Sequence, residues 1–351
     1  MNEFLKLLGG VAGVIILTMI IWSIEKMRRW RRTPQFDSSE DNIFLSYKSE
    51  NVELVRFISE QMQAAGHNVW FNEYRVGLGE WETDFEQRIS EGTRSAGRAV
   101  FFTNALWARS IEWCVDAEAK PLLARLPNES CLEVRLPPEP DPHRLVPGLS
   151  SVRSLDGSRM DKWSLLAEIQ HVLNLSGGTL SHSTDEAKSL NGLLGEVPYS
   201  LNTGRWKVSG RTTLGDGKII PLGLSRVENG VTLTVNVIAG ASGMERQPLN
   251  DRDMRQVFRN LRRIAQAYFR GNSLAGECVG AHLFFHSDLS HGAFTYWGQG
   301  SWCRRYSLVL PDKSGGKDVE FAFTCAVHGD FAQFCRHAWM FDELVASFRY
   351  G

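Results

Sequence analysis

Between Asp41 and Leu173 short apolar runs alternate with segments whose apolar residues recur every three or four positions, and this alternation restricts the fold more than any other feature. DNIFLSY (41–47) is compact and apolar, as a buried strand is. Ser49–Ala65 follows with Val52, Val55, Ile58 and Met62 at helical spacing, and Gly66 stands where a helix C-cap belongs. The pattern repeats: strands at 68–72, 98–103 and 131–136, and helices at Trp81–Ser90, Ile111–Leu123 and Asp161–Leu173. Short strand and helix units in strict succession imply an α/β unit, a parallel sheet covered by helices on both faces. In such folds the ligand lies beyond the carboxyl ends of the strands.

The 351 residues leave room for more than this one unit. Lys plus Arg number 39 against 40 for Asp plus Glu, which gives no reason to expect nucleic acid as a partner. Apolar residues at 43% and charged ones at 23% exclude a disordered chain. Six Cys at irregular spacing contain no C-x-x-C pair, so they read as reduced, mostly buried thiols.

Residues 7–24, LLGGVAGVIILTMIIWSI, carry no charge over 18 positions, about the span of a bilayer core as a helix. A cleaved signal peptide would have its basic residues before the apolar run. Here Lys26, Arg28, Arg29, Arg31 and Arg32 follow it, with Trp22 and Trp30 near the far interface. The positive-inside rule then puts the rest of the chain on the cytoplasmic side of a single-pass anchor. A buried core helix is the other reading of so short a run, and Gly9, Gly10 and Gly13 could form a helix-packing face. The expected organisation is an anchor with basic flank (1–32), a tether (33–40), the α/β unit (41–175), a polar linker (176–192) and a second unit (193–351).

Three stretches of the α/β unit resemble the Toll/interleukin-1 receptor (TIR) family. DNIFLSYKSE is similar to the family's first box, GHNVWFNEYRVGLGEW (66–81) to its second strand and long loop, and SAGRAVFFTNALWARSIEWC (95–114) to its third strand and S-x-W-C motif. The resemblance implies a flavodoxin-like parallel sheet and two classes of function. Some members are adaptors acting through TIR–TIR association, and others cleave NAD+ at the nicotinamide–ribose bond, taking NAD+ as substrate with no further cofactor. That cleavage develops a cation on the ribose and needs a carboxylate in a site sheltered from water.

In the family a Glu four residues after the motif Trp supplies it. This chain reads Trp113-Cys114-Val115-Asp116-Ala117-Glu118, so the expected position holds Ala117. On a regular helix Asp116 and Glu118 each point about 100° away from it. One extra residue taken up as a bulge would bring Glu118 into place, with the shorter Asp116 as the alternative. Both could equally be exposed helix charges. Phe44, Ser46 and Tyr47 end the first strand where a ligand would meet the sheet, Trp113 matches the motif Trp, and Trp81 closes the 73–81 loop. These are the candidate substrate-binding residues, with core packing as the alternative for the aromatics.

The second unit reads as an antiparallel α+β layer. Strands are expected at 204–208, 218–224, 231–238, 280–287, 293–300, 305–310 and 318–327, with helices at 251–270 and 331–350. The arrangement and the ending MFDELVASFRY faintly resemble the PsbP-like fold. His282, His286, Asp288 and His291 gather around one strand end, but without tight ligand spacing they read as hydrogen-bonded structural residues, and no metal is expected. Arg252, Arg255, Arg259, Arg262 and Arg263 form a basic stripe. That stripe is either a solvated face or a contact for an acidic partner, a phosphate-bearing signal or anionic membrane lipid. The whole is expected to be a membrane-anchored TIR protein of signalling or defence, hydrolysing NAD+ when activated or self-associated. The alternatives are a non-enzymatic TIR scaffold and a unit that binds a nucleotide without cleaving it. The second unit is expected to sense a protein or small-molecule signal.

Overall fold

The computed structural model describes residues 42–75, 81–138, 146–175, 188–194, 197–211, 222–241, 247–248, 277–286, 289–298, 300–310 and 319–350. All of them belong to one compact unit, Ser38–Gly351. The apolar run 7–24, the arginine stripe of 251–270 and Asp288 lie outside the described residues. Among the described residues no helix is long and apolar enough to cross a membrane.

The first sheet is five-stranded and wholly parallel: β1 (Asn42–Ser46), β2 (Val69–Trp70), β3 (Ala96–Thr103), β4 (Cys131–Arg135) and β5 (Arg153–Asp156), in the spatial order β2-β1-β3-β4-β5. This is the flavodoxin-like order, whose switch in connection direction falls between β1 and β3. The helices between strands are α1 (Val52–Ala64), a single turn α2 (Asn72–Arg75), α3 (Trp81–Ser95), α4 (Ala105–Arg109), α5 (Lys120–Arg125) and α6 (Lys162–Val172). Gly66 ends α1 with φ +90°, the left-handed conformation that glycine tolerates. Sequence reading missed β5, because RSLD has no apolar run and half of it is solvent-exposed at the sheet edge.

Alternation along β1 sorts its side chains between two layers. Phe44 joins Phe101, Trp107, Cys114, Val115 and Leu122 in one core, and Ser46 shares its side. The other layer contains α1, and that helix is unusual. Ten of its 13 residues are buried, Arg56, Ser59, Glu60 and Gln61 among them. An amphipathic surface helix leaves its polar stripe in water; here that stripe is covered by the second half of the chain.

That half is antiparallel, as expected. β8 (Lys207–Arg211), β9 (Leu222–Glu228), β10 (Val231–Ala241), β11 (Gln247–Pro248), β12 (Glu277–His286), β13 (Leu289–Gly298), β14 (Ser301–Leu310) and β15 (Val319–Val327) form an eight-stranded sheet. A three-stranded sheet joins β6 (Ser189–Leu194), β7 (Val197–Asn202) and β16 (Arg349–Tyr350). β6 begins within the stretch read as linker, and β16 takes the last residues of the expected terminal helix. That helix, α7 (Phe331–Ala346), starts at a capping box between Asp330 and Gln333 and packs against α1.

Candidate active site

The helical stretch after α4 is not a regular α-helix. Ile111–Ala119 is a π-helix, with the Val115 N–H bonded to the Ser110 carbonyl and the Lys120 N–H to Val115. An i→i+5 ladder takes up roughly one more residue per turn, so successive side chains stand about 80° apart instead of about 100°. Five steps from Trp113 to Glu118 then turn through the same angle, about 400°, as four steps in an α-helix. Pro121 is the sequence signal for this irregularity: it has no N–H to offer, and its ring clashes with the carbonyl four residues back, that of Ala117.

The consequence is an inward Glu118. It is 4% exposed, and the Ser46 hydroxyl at the end of β1 donates to its Oε2 at 2.6 Å. The Trp107 indole N–H, from α4, donates in turn to Ser46 Oγ at 3.0 Å. Trp107 was not singled out from the sequence, since an apolar neighbourhood is all that its position shows there. Burial pushes the Glu118 carboxyl up to about 8, with the Ser46 hydrogen bond pulling the other way. At neutral pH the group is therefore mostly protonated.

Asp116 takes no part. It is exposed and pairs with Lys120 at 2.6 Å along the same helix. Phe44 is fully buried and stacks on Trp70 at 4.5 Å, so its ring belongs to the core. Tyr47 is half-buried and stacks on Phe71 at 5.4 Å, while its carbonyl accepts the Cys114 thiol at 3.8 Å. Trp113 is half-buried against the same core. Trp81 opens α3, but its side chain lies outside the described residues, as do residues 76–80. The structure thus brings Ser46, Trp107, Cys114 and Glu118 together around the β1 end and leaves Asp116 outside.

The histidines of β12 and β13 fall into two groups, with His286 and His291 edge to face at 6.0 Å between ring centres and His282 bonded elsewhere. His282 contacts Glu73 and Thr295, and His286 Nε2 donates to the Phe348 carbonyl at 2.6 Å. Among the described residues no three His, Cys, Asp or Glu side chains are placed to hold a metal.

The described residues thus form a flavodoxin-like parallel sheet with an inward carboxyl group beside the carboxyl end of its first strand. Residues 43–172 match the family model of the TIR domain, so that stretch of the chain carries a TIR domain. No curated protein matches it.

Proposed function

We propose that this TIR unit hydrolyses NAD+ at the nicotinamide–ribose bond, with Glu118 as the catalytic carboxylate. The observation that carries the reading is the π-helix, which restores an inward carboxyl at the one place where the spacing would otherwise present Ala117. Water replaces nicotinamide on the ribose, giving ADP-ribose, nicotinamide and a proton. The bond to the departing ring breaks ahead of water attack, and a carboxylate next to the developing cation stabilises it. Glu118 must be ionised for that role. The positive charge of the substrate favours the carboxylate, so binding draws its proton off. Ser46, held by Trp107, keeps the carboxyl oriented without filling both of its oxygens.

Anchoring through residues 7–24 would concentrate such units on a membrane surface and favour self-association through the TIR domain. The second reading is a TIR scaffold without catalysis, and the burial of Glu118 favours it. NAD+ consumption by the full chain, reconstituted on vesicles at increasing surface density, separates the two. Under the enzyme reading Glu118→Ala lowers the rate by about 100-fold or more. Equal rates for both proteins, at background, would establish the scaffold.

A further inference from the structure

The face of the TIR domain opposite the Glu118 site is not free. α7 and the eight-stranded sheet cover α1, and a chain of charged and polar groups runs through the contact, reaching solvent at Asp342. Arg56 of α1 donates to both oxygens of Glu73, at 2.7 and 3.1 Å. His282 of β12 holds Glu73 Oε2 at 2.8 Å through Nδ1, and its Nε2 meets the Thr295 hydroxyl at 2.7 Å. Thr295 accepts from Arg304 Nε at 3.1 Å. Arg304 also binds Glu60 of α1, the Tyr74 hydroxyl at 2.7 Å and Asp342 of α7 at 3.2 Å. Arg56, Glu60, His282 and Arg304 are all completely buried. Gly280 lets the surfaces meet: a Cβ there would come within 2.7 Å of the His282 ring and 3.1 Å of Tyr74.

Two of the TIR residues in this network, Glu73 and Tyr74, belong to the single turn α2. From Tyr74 a packed path leads to the candidate site. Tyr74 touches Phe71 at 5.9 Å between ring centres, and Phe71 stacks on Tyr47 at 5.4 Å. The Tyr47 carbonyl accepts the thiol of Cys114, one helical turn before Glu118. In this docked arrangement Glu118 has almost no contact with solvent.

We propose that the C-terminal unit is a clamp acting within the chain: docked on α1 and on Asn72–Arg75 it holds the Glu118 site closed, and its separation opens that site. The network makes the clamp two-state. Ion pairs removed from water gain little net free energy over their hydrated components, whereas a half-broken set leaves buried charges unpaired. The contact is therefore either complete or released, and full release rehydrates every member. For the effect on NAD+ cleavage the clamp rests on the reading of Glu118 above; the opening itself does not.

Two variants of the full chain test it. Gly280→Ala drives a wedge between His282 and Tyr74 without changing any charge, and the double change His282→Phe, Thr295→Val removes the bridge to Glu73 at nearly constant volume. Amide hydrogen exchange, resolved by peptide, reports whether 71–75 and α1 loosen while β4 and β5 stay protected. Alkylation of Cys114, followed by mass spectrometry, reports opening of the site. The clamp predicts faster exchange at 71–75 together with Cys114 labelling faster by about tenfold or more in both variants. Faster exchange at 71–75 with unchanged Cys114 labelling would overturn it, and so would unchanged exchange in two folded variants. NAD+ consumption is read on the same samples. A rise that Glu118→Ala abolishes supports clamp and hydrolase together, whereas opened variants without cleavage leave the clamp standing and remove the hydrolase.

Discussion

Deleting Ala117 is the most direct test of the π-helix argument. The shortened chain reads Trp113-Cys114-Val115-Asp116-Glu118, the spacing at which a regular α-helix points Glu in the family's direction. Four steps of about 100° replace five of about 80°, so the carboxyl keeps its bearing while the strained ladder becomes an ordinary one. The opposite change, an Ala inserted between Val115 and Asp116, turns Glu118 by a further 80–100°. With side-chain ends about 5–6 Å from the axis, the carboxyl then moves by about 8 Å, well beyond the 2.6 Å contact with Ser46. NAD+ consumption by the full chain on vesicles is the assay, with circular dichroism as a check on folding. The deletion should hold the rate within about threefold, and the insertion should lose it as Glu118→Ala does, by about 100-fold. A folded deletion variant as inactive as the insertion variant would refute the claim that the extra residue serves only to restore direction.

The pH dependence of catalysis should follow Glu118. With its carboxyl raised to about 8 in the free protein, kcat/KM rises with pH between 6 and 8 and levels off above, and a flat profile would argue against an ionised Glu118. Ser46→Ala removes the hydrogen bond that opposes the shift, and should move that rise upward by about one pH unit. Stability carries its own signature. Glu118, usually near 4.5 and raised to about 8, stabilises the fold fully below 4.5 and loses that contribution as pH rises towards 8. His282, burial lowering it from 6.5 to about 4, does the reverse: its contribution is complete above 6.5 and is lost as pH falls to 4. Between about 4.5 and 6.5 the Glu118 and His282 slopes oppose each other, with His291 and His337, also lowered to about 4 by burial, adding to the His282 side, and stability should drop by about 2 kcal/mol from pH 6.5 to 8. Urea denaturation across that range checks it, and Glu118→Gln should abolish the alkaline fall. Phe44→Ala should cost about 3–5 kcal/mol through the cavity left beside Trp70, because the ring is core rather than a substrate platform; a loss of activity in a variant of unchanged stability would contradict this.

Much of the parallel-sheet unit was legible because its information is local. Val52, Val55, Ile58 and Met62 declare a helix face, Gly66 its end, and the run from Ala99 to Phe102 a strand buried on both sides. β5 and β6 carry no such signal: RSLD and SLNGLL become strands only because a neighbouring strand offers a ladder. The candidate carboxylate was legible as a choice between two residues and no further. Pitch decides that choice, and pitch depends on how Pro121 and the packed side chains of Cys114, Val115 and Ala119 share the strain of one extra residue.

The sequence by itself determined the alternation of β1 to β4 with their main helices, the TIR boxes, and the presence of a carboxyl group one residue away from the family's position, since each rests on neighbours along the chain. Tertiary structure alone decided that Glu118 faces Ser46 while Asp116 faces Lys120. It also decided that Arg56, Glu60 and Glu73 are buried in a network with His282 and Arg304, more than 200 residues away. Charge and periodicity mark a residue as polar; only the surface that closes over it settles whether its partner is water or another side chain.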